Sequence, residues 1–380
     1  MIRMPWNNST APSVMLEVTD ACNIICKACY KKKGTVFKSL IQIKQDLEDA
    51  MNLRRLHTVT ISGGEPTLHP DLCRIVEMVK TYKLHIFLLT NGLLINHVLL
   101  KKLKQSGLDS ILFHVDIGQN RPDLPEKPVQ NDIRLRLDEL TEMASSCGLD
   151  VSISMTIYDD ENKSLEDISE FFFNSQDITF LFIARGINPE NVYKNINNRQ
   201  NNNALLTLSN GRYRIKKIVA FYENKYSIEP FAYIPASNNS DTVWISYFIP
   251  VIYISNKVYP YRICSNSMDF WLMEIPKIIS GRYIHKTKQN QFITLVRIFL
   301  SSLWSFRLRQ FFEFLVKLFH PSAKLRHKMI VYDNGPFLDE DGTIHYCQYC
   351  PTAIVRDRQL LSCCVSDYGD YLEGTKYDYS

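Results

Sequence analysis

Three cysteines, Cys22, Cys26 and Cys29, follow directly on the apolar run that ends at Thr19-Asp20, in the order Cys-Asn-Ile-Ile-Cys-Lys-Ala-Cys-Tyr. In irregular backbone a C-x3-C-x2-C spacing lets all three thiolates turn toward one centre, whereas a helix or strand would point some of them apart. Soft sulfur donors suit an iron–sulfur cluster or zinc. Three protein ligands leave one metal position open, as a reactive centre requires, while structural sites usually close all four. A structural zinc loop, or three unrelated thiols, is the alternative that spacing alone leaves standing.

A second chemical signature follows the next strand-like run: Ser62-Gly63-Gly64-Glu65-Pro66. Glycines let backbone approach a ligand closely, and Glu65 or a strand-end carbonyl can accept hydrogen bonds from an ammonium group. Taken alone, a Gly-Gly pair is an ordinary turn. The cysteine loop after strand one and Gly-Gly-Glu-Pro after strand two together resemble the radical S-adenosylmethionine (radical SAM) superfamily, over about half of the chain, to about Ala184. The resemblance implies that Cys22, Cys26 and Cys29 bind three irons of a [4Fe–4S] cluster, and that SAM chelates the fourth through its amino and carboxylate groups. It implies contacts from Gly63, Gly64 and Glu65 to the methionine end of SAM. It also implies one-electron cleavage of SAM to methionine and a 5′-deoxyadenosyl radical that abstracts hydrogen from a substrate. Asn91, in Thr90-Asn91-Gly92, and Asp116, in His114-Val115-Asp116, end strands three and four and can reach the same cavity. An ordinary turn at Asn91-Gly92 and a capping role for Asp116 are the competing readings. The family often has an aromatic residue before the third cysteine; here Ala28 stands there and Tyr30 follows.

The elements that must position these residues are strand–helix repeats. Strands are expected at 14–19, 58–61, 84–89, 110–116, 151–158 and 178–183, with helices at 40–53, 71–82, 96–106, 131–146 and 165–174. Right-handed crossovers curl such a sheet into an α/β partial (β/α)6 TIM-type barrel, with ligands at the C-terminal strand ends. The barrel is assigned to residues 1–187, an Asn-rich linker or loop to 188–203, and a cysteine-containing α+β extension to 204–380.

That extension ends in a second group of thiols. After the turn Asp341-Gly342-Thr343 come His345, Cys347 and Cys350, then Cys363-Cys364. A C-x2-C knuckle with a further thiol after a short hairpin is a reasonable site for an auxiliary iron–sulfur cluster or zinc, with Cys347, Cys350 and Cys363 as ligands and Cys264 or His345 to complete the set. Adjacent cysteines in extended backbone diverge, so only one of Cys363 and Cys364 is expected to share that metal. Buried or redox-labile thiols are the competing reading. The pattern is partly similar to the cysteine-rich ends of peptide-modifying radical SAM enzymes, without their full spacing. Cys73 and Cys147, within expected helices, read as small core residues.

Between Arg282 and Lys328 stand ten Lys or Arg residues and one acid, Glu313, a local charge of +9 that leaves −5 for the rest. Within it, a helical pattern at about 291–306 sets Thr294, Arg297, Ser301 and Ser305 against Phe292, Leu295, Val296, Phe299, Leu303 and Phe306, and one at about 309–319 carries Arg309, Gln310, Glu313 and Lys317 on a polar face rotated relative to the first. Packing on the barrel is the favoured reading; peripheral contact with an anionic membrane, or the entry for a greasy substrate, is the other.

With 380 residues and 45% apolar composition the chain can bury a large core. Ten cysteines diluted over that length read as reduced thiols, and no export signal or spanning run of apolar residues is visible, so the expected compartment is the cytoplasm. The expected partners are a small-molecule, lipid or peptide substrate and a reductase or flavodoxin- or ferredoxin-type electron donor. The basic stretch is too apolar for a phosphate-binding surface and disfavours nucleic acid. A metal-binding scaffold without turnover is the rival to an enzyme.

Overall fold

Short strands alternate with amphipathic helices as the periodicity dictates. The computed structural model describes residues 1–158, 163–186, 211–237, 241–262, 266–283, 291–304, 308–338 and 344–367. Six parallel strands, β1 (Ser13–Thr19), β2 (Thr58–Gly63), β3 (His85–Thr90), β4 (Ser110–His114), β5 (Asp150–Ile157) and β6 (Ile178–Arg185), lie side by side in chain order. Helices α1 (Leu40–Leu53), α2 (Leu72–Thr81), α3 (His97–Gln105), α4 (Gln130–Ser146) and α5 (Lys163–Asn174) connect them. The sequence sets where they start: Ser39 and Gln42 form a reciprocal capping box on α1, which then buries Ile43, Leu47 and Ala50 along one stripe. This is the expected partial (β/α)6 barrel. Strand β4 ends at His114, two residues early, so Asp116 stands in the turn beyond it.

The sheet does not stop at six strands. The C-terminal part adds α6 (Gly211–Tyr226), β7 (Ala232–Pro235), β8 (Thr242–Ile254), β9 (Lys257–Pro260), α7 (Asn266–Ser280), α8 (Gln291–Trp304), α9 (Leu308–Leu318) and β10 (Ala323–Asp333), then the hairpin β11 (Ala353–Arg356) and β12 (Gln359–Ser362). Strand β10 pairs in parallel with β6, and β8 runs antiparallel to β10 from Trp244 opposite Asp333 to Ile254 opposite Ala323. The order across the eleven-stranded sheet is therefore Ile2–Arg3, β7, β8, β10, β6, β5, β4, β3, β2, β1, with β9 beside β8. The extension thus continues the barrel sheet. The Asn-rich run 188–203, Cys264 and the turn at 341–343 lie outside the described residues.

Alternation sorts the side chains. On β1, Val14, Leu16 and Val18 join the core beneath the helices, while Met15 faces the inside, where Ile354 and Cys363 of the terminal hairpin pack on it. Residues 4–12 run from one sheet edge to the other, and Met4, Trp6 and Ala11 are buried there with Cys347, Cys350 and Ala353. Arg54, 2% exposed, ties these pieces together: it donates from Nε to Asn8 O (2.8 Å) and from Nη1 to Ser13 O (2.8 Å) and Cys350 O (2.9 Å).

Candidate active site

The three-cysteine loop and the Gly-Gly-Glu turn form one unit at the C-terminal ends of the strands. Gly64 N donates to Thr19 O (2.7 Å) and Glu65 N to Ala21 O (2.8 Å). A Cβ on Gly63 would lie 2.1 Å from Thr19 O, and one on Gly64 2.2 Å from Ala21 O, so only glycine permits this approach. The loop's far side is held too: Ile25–Cys26 pairs antiparallel with Gln119–Asn120, and Lys27 N donates to Gly118 O (2.8 Å).

The sulfurs are close enough to feel one another. Burial pushes the Cys26 thiol up to about 12, with the charges of Cys29, Asp116 and Cys22 adding to it. Cys22 is also raised, first by burial, with Cys29 and Glu65 contributing. Such crowding of potential anions is what a bound cation relieves. The chemistry of the donor set, three soft sulfurs within one loop, fits an iron–sulfur cluster. Among the described residues no group of three His, Cys, Asp or Glu side chains already stands in a geometry that could hold a metal ion.

Glu65 is 1% exposed, and its carboxylate works as a cross-brace. Oε1 accepts from Thr67 N (3.0 Å), Thr67 Oγ1 and Thr90 Oγ1 (2.7 Å); Oε2 accepts from Asn91 N (2.8 Å). Burial raises its pKa, and these hydrogen bonds work against that rise. Asn91 bridges in turn: Nδ2 donates to Asn23 Oδ1 inside the cysteine loop (2.8 Å), while Oδ1 accepts from Leu93 N (2.9 Å). Asn91-Gly92 is therefore both a turn and a strut under the loop. Asp116 is fully buried; Oδ1 accepts from Gly118 N (2.7 Å) and Tyr158 Oη (3.3 Å), and Oδ2 lies 3.1 Å from His114 Nε2. Burial raises the Asp116 pKa, but the bonds from His114, Gly118 and Thr156 outweigh it and leave it below 3.8.

Several further residues support the site. Lys27 Nζ sits 5.4 Å over the Tyr158 ring. Arg121, 4% exposed, donates from Nη1 to Asn91 O (2.9 Å) and grips Asp123 through Nε and Nη2. Tyr30, behind the third cysteine, reaches down to Met15 Sδ at 3.4 Å. Asn23 and Lys27 lie within the cysteine motif and Tyr30 directly follows it, so position could have found them; Arg121 carries no such signal.

The C-terminal thiols also gather. Cys347, Cys350 and Cys363 are buried, and Cys363 Sγ lies 3.9 Å from Cys364 Sγ. The expected divergence of Cys363 and Cys364 is corrected: both follow β12 in a turn, and turn backbone does not alternate side chains. Thr352 Oγ1 stands between Cys350 Sγ (3.2 Å) and Cys363 Sγ (3.3 Å). Hydrogen bonds from Cys347 and Cys363 lower the Cys350 pKa, while the same bonds and burial raise those of Cys347 and Cys363. His345 is buried with its ring stacked on Phe337 at 5.0 Å. Cys73 and Cys147 are half-buried and pack against the main core.

The fold, the cysteine loop and the Gly-Gly-Glu turn lie within one matched stretch: residues 16–172 match the model of the radical SAM superfamily. The chain is 33% identical over 130 residues to the 7,8-dihydro-6-hydroxymethylpterin dimethyltransferase of Methanocaldococcus jannaschii, covering 32% of this chain and 25% of that protein. It is 26% identical over 175 residues to the tungsten-containing aldehyde ferredoxin oxidoreductase cofactor-modifying protein of Pyrococcus furiosus, covering 42% and 47%. Against a probable GTP 3′,8-cyclase of Methanococcus aeolicus the figures are 26% over 173 residues, 43% and 56%. The chain thus spans between a quarter and somewhat over half the length of these relatives. Among solved structures it is similar to Streptococcus suis SuiB bound to the precursor peptide SuiA, with 16% identity, a TM-score of 0.42, and coverage of 58% of this chain and 47% of that one.

Proposed function

We propose that this protein cleaves SAM reductively at a [4Fe–4S] cluster and takes hydrogen from a second substrate. When bound, the cluster supplies one electron to the sulfonium of SAM, giving methionine and, after hydrogen is taken from substrate, 5′-deoxyadenosine. In this reading Cys22, Cys26 and Cys29 hold three irons. Gly63 and Gly64 keep the strand ends close, and Glu65 Oε2, which accepts one bond from Asn91 N, offers its second lone pair to the ammonium group of SAM. Asn91 holds the loop through Asn23, Asp116 holds the turn at Gly118 to which the loop bonds, and the Lys27 ammonium lies over the Tyr158 ring beside it. The observation that carries the reading is the pair of hydrogen bonds, Gly64 N to Thr19 O and Glu65 N to Ala21 O, that makes one site of two motifs.

Cys347, Cys350 and Cys363 are assigned to a second metal, an auxiliary iron–sulfur cluster ahead of zinc, because a chain loaded with one cluster meets the same iron and sulfide at its other thiols. Cys364, 3.9 Å from Cys363, is the fourth ligand the proximity supports. The electron enters from a flavodoxin- or ferredoxin-type donor, and the substrate, a small molecule, lipid or peptide, is taken at the C-terminal strand ends.

Anaerobic reconstitution with iron and sulfide, followed by SAM and dithionite, tests both assignments. The wild type is expected to form 5′-deoxyadenosine and Cys26→Ala to form none. Cys347→Ser/Cys350→Ser should lose the iron of the second site and retain that of the first. A wild type that binds a full cluster yet yields no 5′-deoxyadenosine identifies a scaffold instead. Iron content unchanged in the double variant removes the second site.

A further inference from the structure

Helices α8 and α9 use one apolar side to build the molecule: Ile298 and Phe314 are buried against Ile252 of β8 and Leu325 of β10. They carry a second apolar side that faces outward. On α8, Val296, Phe299 and Leu303 are 40–50% exposed, at steps of three and four residues, and on α9 Phe312 and Val316 are 60% and 75% exposed. Phe299 and Phe311 lie 5.2 Å apart and Phe311 and Phe312 6.0 Å, which joins the two faces. The preceding helix α7 does the same, with Trp271 56%, Ile278 73% and Ile279 81% exposed. Scattered exposed apolar residues are ordinary on a protein surface; stripes on three successive helices are not.

Charge selects the occupant. Residues 266–318, which hold α7, α8 and α9, carry eight Lys or Arg and three acids, a local charge of +5 that leaves −1 for the rest of the chain. Arg309, its side chain 92% exposed, stands between the outward Leu308 and Phe312. A second copy of this chain would bring +5 against +5, whereas an anionic bilayer satisfies both the charge and the apolar stripes. Among the described residues no helix is long and apolar enough to cross a membrane, so the helices would lie in its surface plane. We infer that the outward faces of α7, α8 and α9 dock this protein on an anionic lipid surface.

The full chain is mixed with vesicles of phosphatidylcholine, or of phosphatidylcholine and phosphatidylglycerol in equal parts, and floated at low and at high salt. Recovery with the anionic vesicles is expected at low salt, falling about tenfold on neutral vesicles and at high salt. The variant Ile278→Gln/Ile279→Gln/Phe312→Gln/Val316→Gln is expected to float about tenfold less while keeping the wild-type circular dichroism and thermal midpoint. A second readout is independent of that variant's folding: brominated phosphatidylglycerol should quench tryptophan fluorescence in the wild type, and less of it in Trp271→Phe. The inference falls if the wild type stays at the bottom at low salt, or if the folded variant floats like the wild type. It also falls if brominated lipid leaves the fluorescence unchanged, or if the faces serve only self-association, which the variant abolishes in a wild type that never floats.

Discussion

At the scale of single residues, the site depends on two missing Cβ atoms. Gly63, at φ +139°, and Gly64 face backbone oxygens, which cannot swing aside as a flexible side-chain end can. Gly64→Ala must therefore push the cysteine loop away from β2, breaking the Glu65 N to Ala21 O bond. Its expected cost is about 2 kcal/mol of stability, with iron retention at the first site and 5′-deoxyadenosine formation falling about tenfold. Gly148→Ala is the control: φ is +74° and only Lys104 Cε, 3.8 Å away, faces the new carbon, so about 1 kcal/mol of backbone strain is expected with iron binding intact. Iron per chain and thermal midpoints for the two variants check this.

At the scale of elements, the loop after β4 is clamped by charge. Arg121 binds Asp123 with two hydrogen bonds, and Arg136 of α4 reaches the same carboxylate from Nε at 2.8 Å. Burial raises the Asp123 pKa, but the two arginines outweigh it and leave it below 3.8. A carboxylate depressed in the folded state adds stability that is present above the unfolded value and is lost as pH falls through the folded one. Asp123→Asn should therefore cost about 2 kcal/mol at neutral pH, and the gap to wild type should narrow below about pH 4. Urea midpoints measured across the acid range would show it, and a gap that does not change with pH would count against the clamp.

The five barrel helices and six strands were legible because each announces itself locally, by period and by punctuation such as Ser39 before α1 or Gly107 after α3. The cysteine spacing was legible for the same reason. Arg121 was not, because its partners Asn91 and Asp123 lie on different loops and nothing in the spacing joins them. The turn that brings Cys363 to Cys364 was missed because a two-residue motif was read as strand. The pairing of β10 with β6 was beyond any local pattern: it joins Met329 to Phe180, with α6 to α9 between them in the chain.

At the scale of the whole molecule, one lysine pins that distant pairing. Lys328 of β10 is 1% exposed, and its Nζ donates to Phe172 O (2.6 Å), Ser175 O (2.6 Å) and Ile178 O (2.7 Å), closing the C-terminal end of α5. All three ammonium protons are used. Lys328→Met fits the space but strands three buried carbonyls, so a loss of about 3 kcal/mol is expected. Thermal unfolding should reveal it, and 5′-deoxyadenosine formation at low temperature should be spared, since the cysteine loop is remote from this joint. A thermal midpoint equal to wild type would mean that the carbonyls find other donors.

The terminal hairpin has a consequence in time. Lys31, two residues past the third cysteine, meets Glu17 and Asp367, and Arg356 meets Glu17 across a separation of 339 residues. During synthesis the six barrel strands leave the ribosome well before the hairpin that packs on their inner face. For most of its birth the chain therefore presents an open trough with its thiols accessible. In the proposed reading a cluster would be delivered most easily before the hairpin docks on β1, and a chain that docked it empty would have to release it to be loaded.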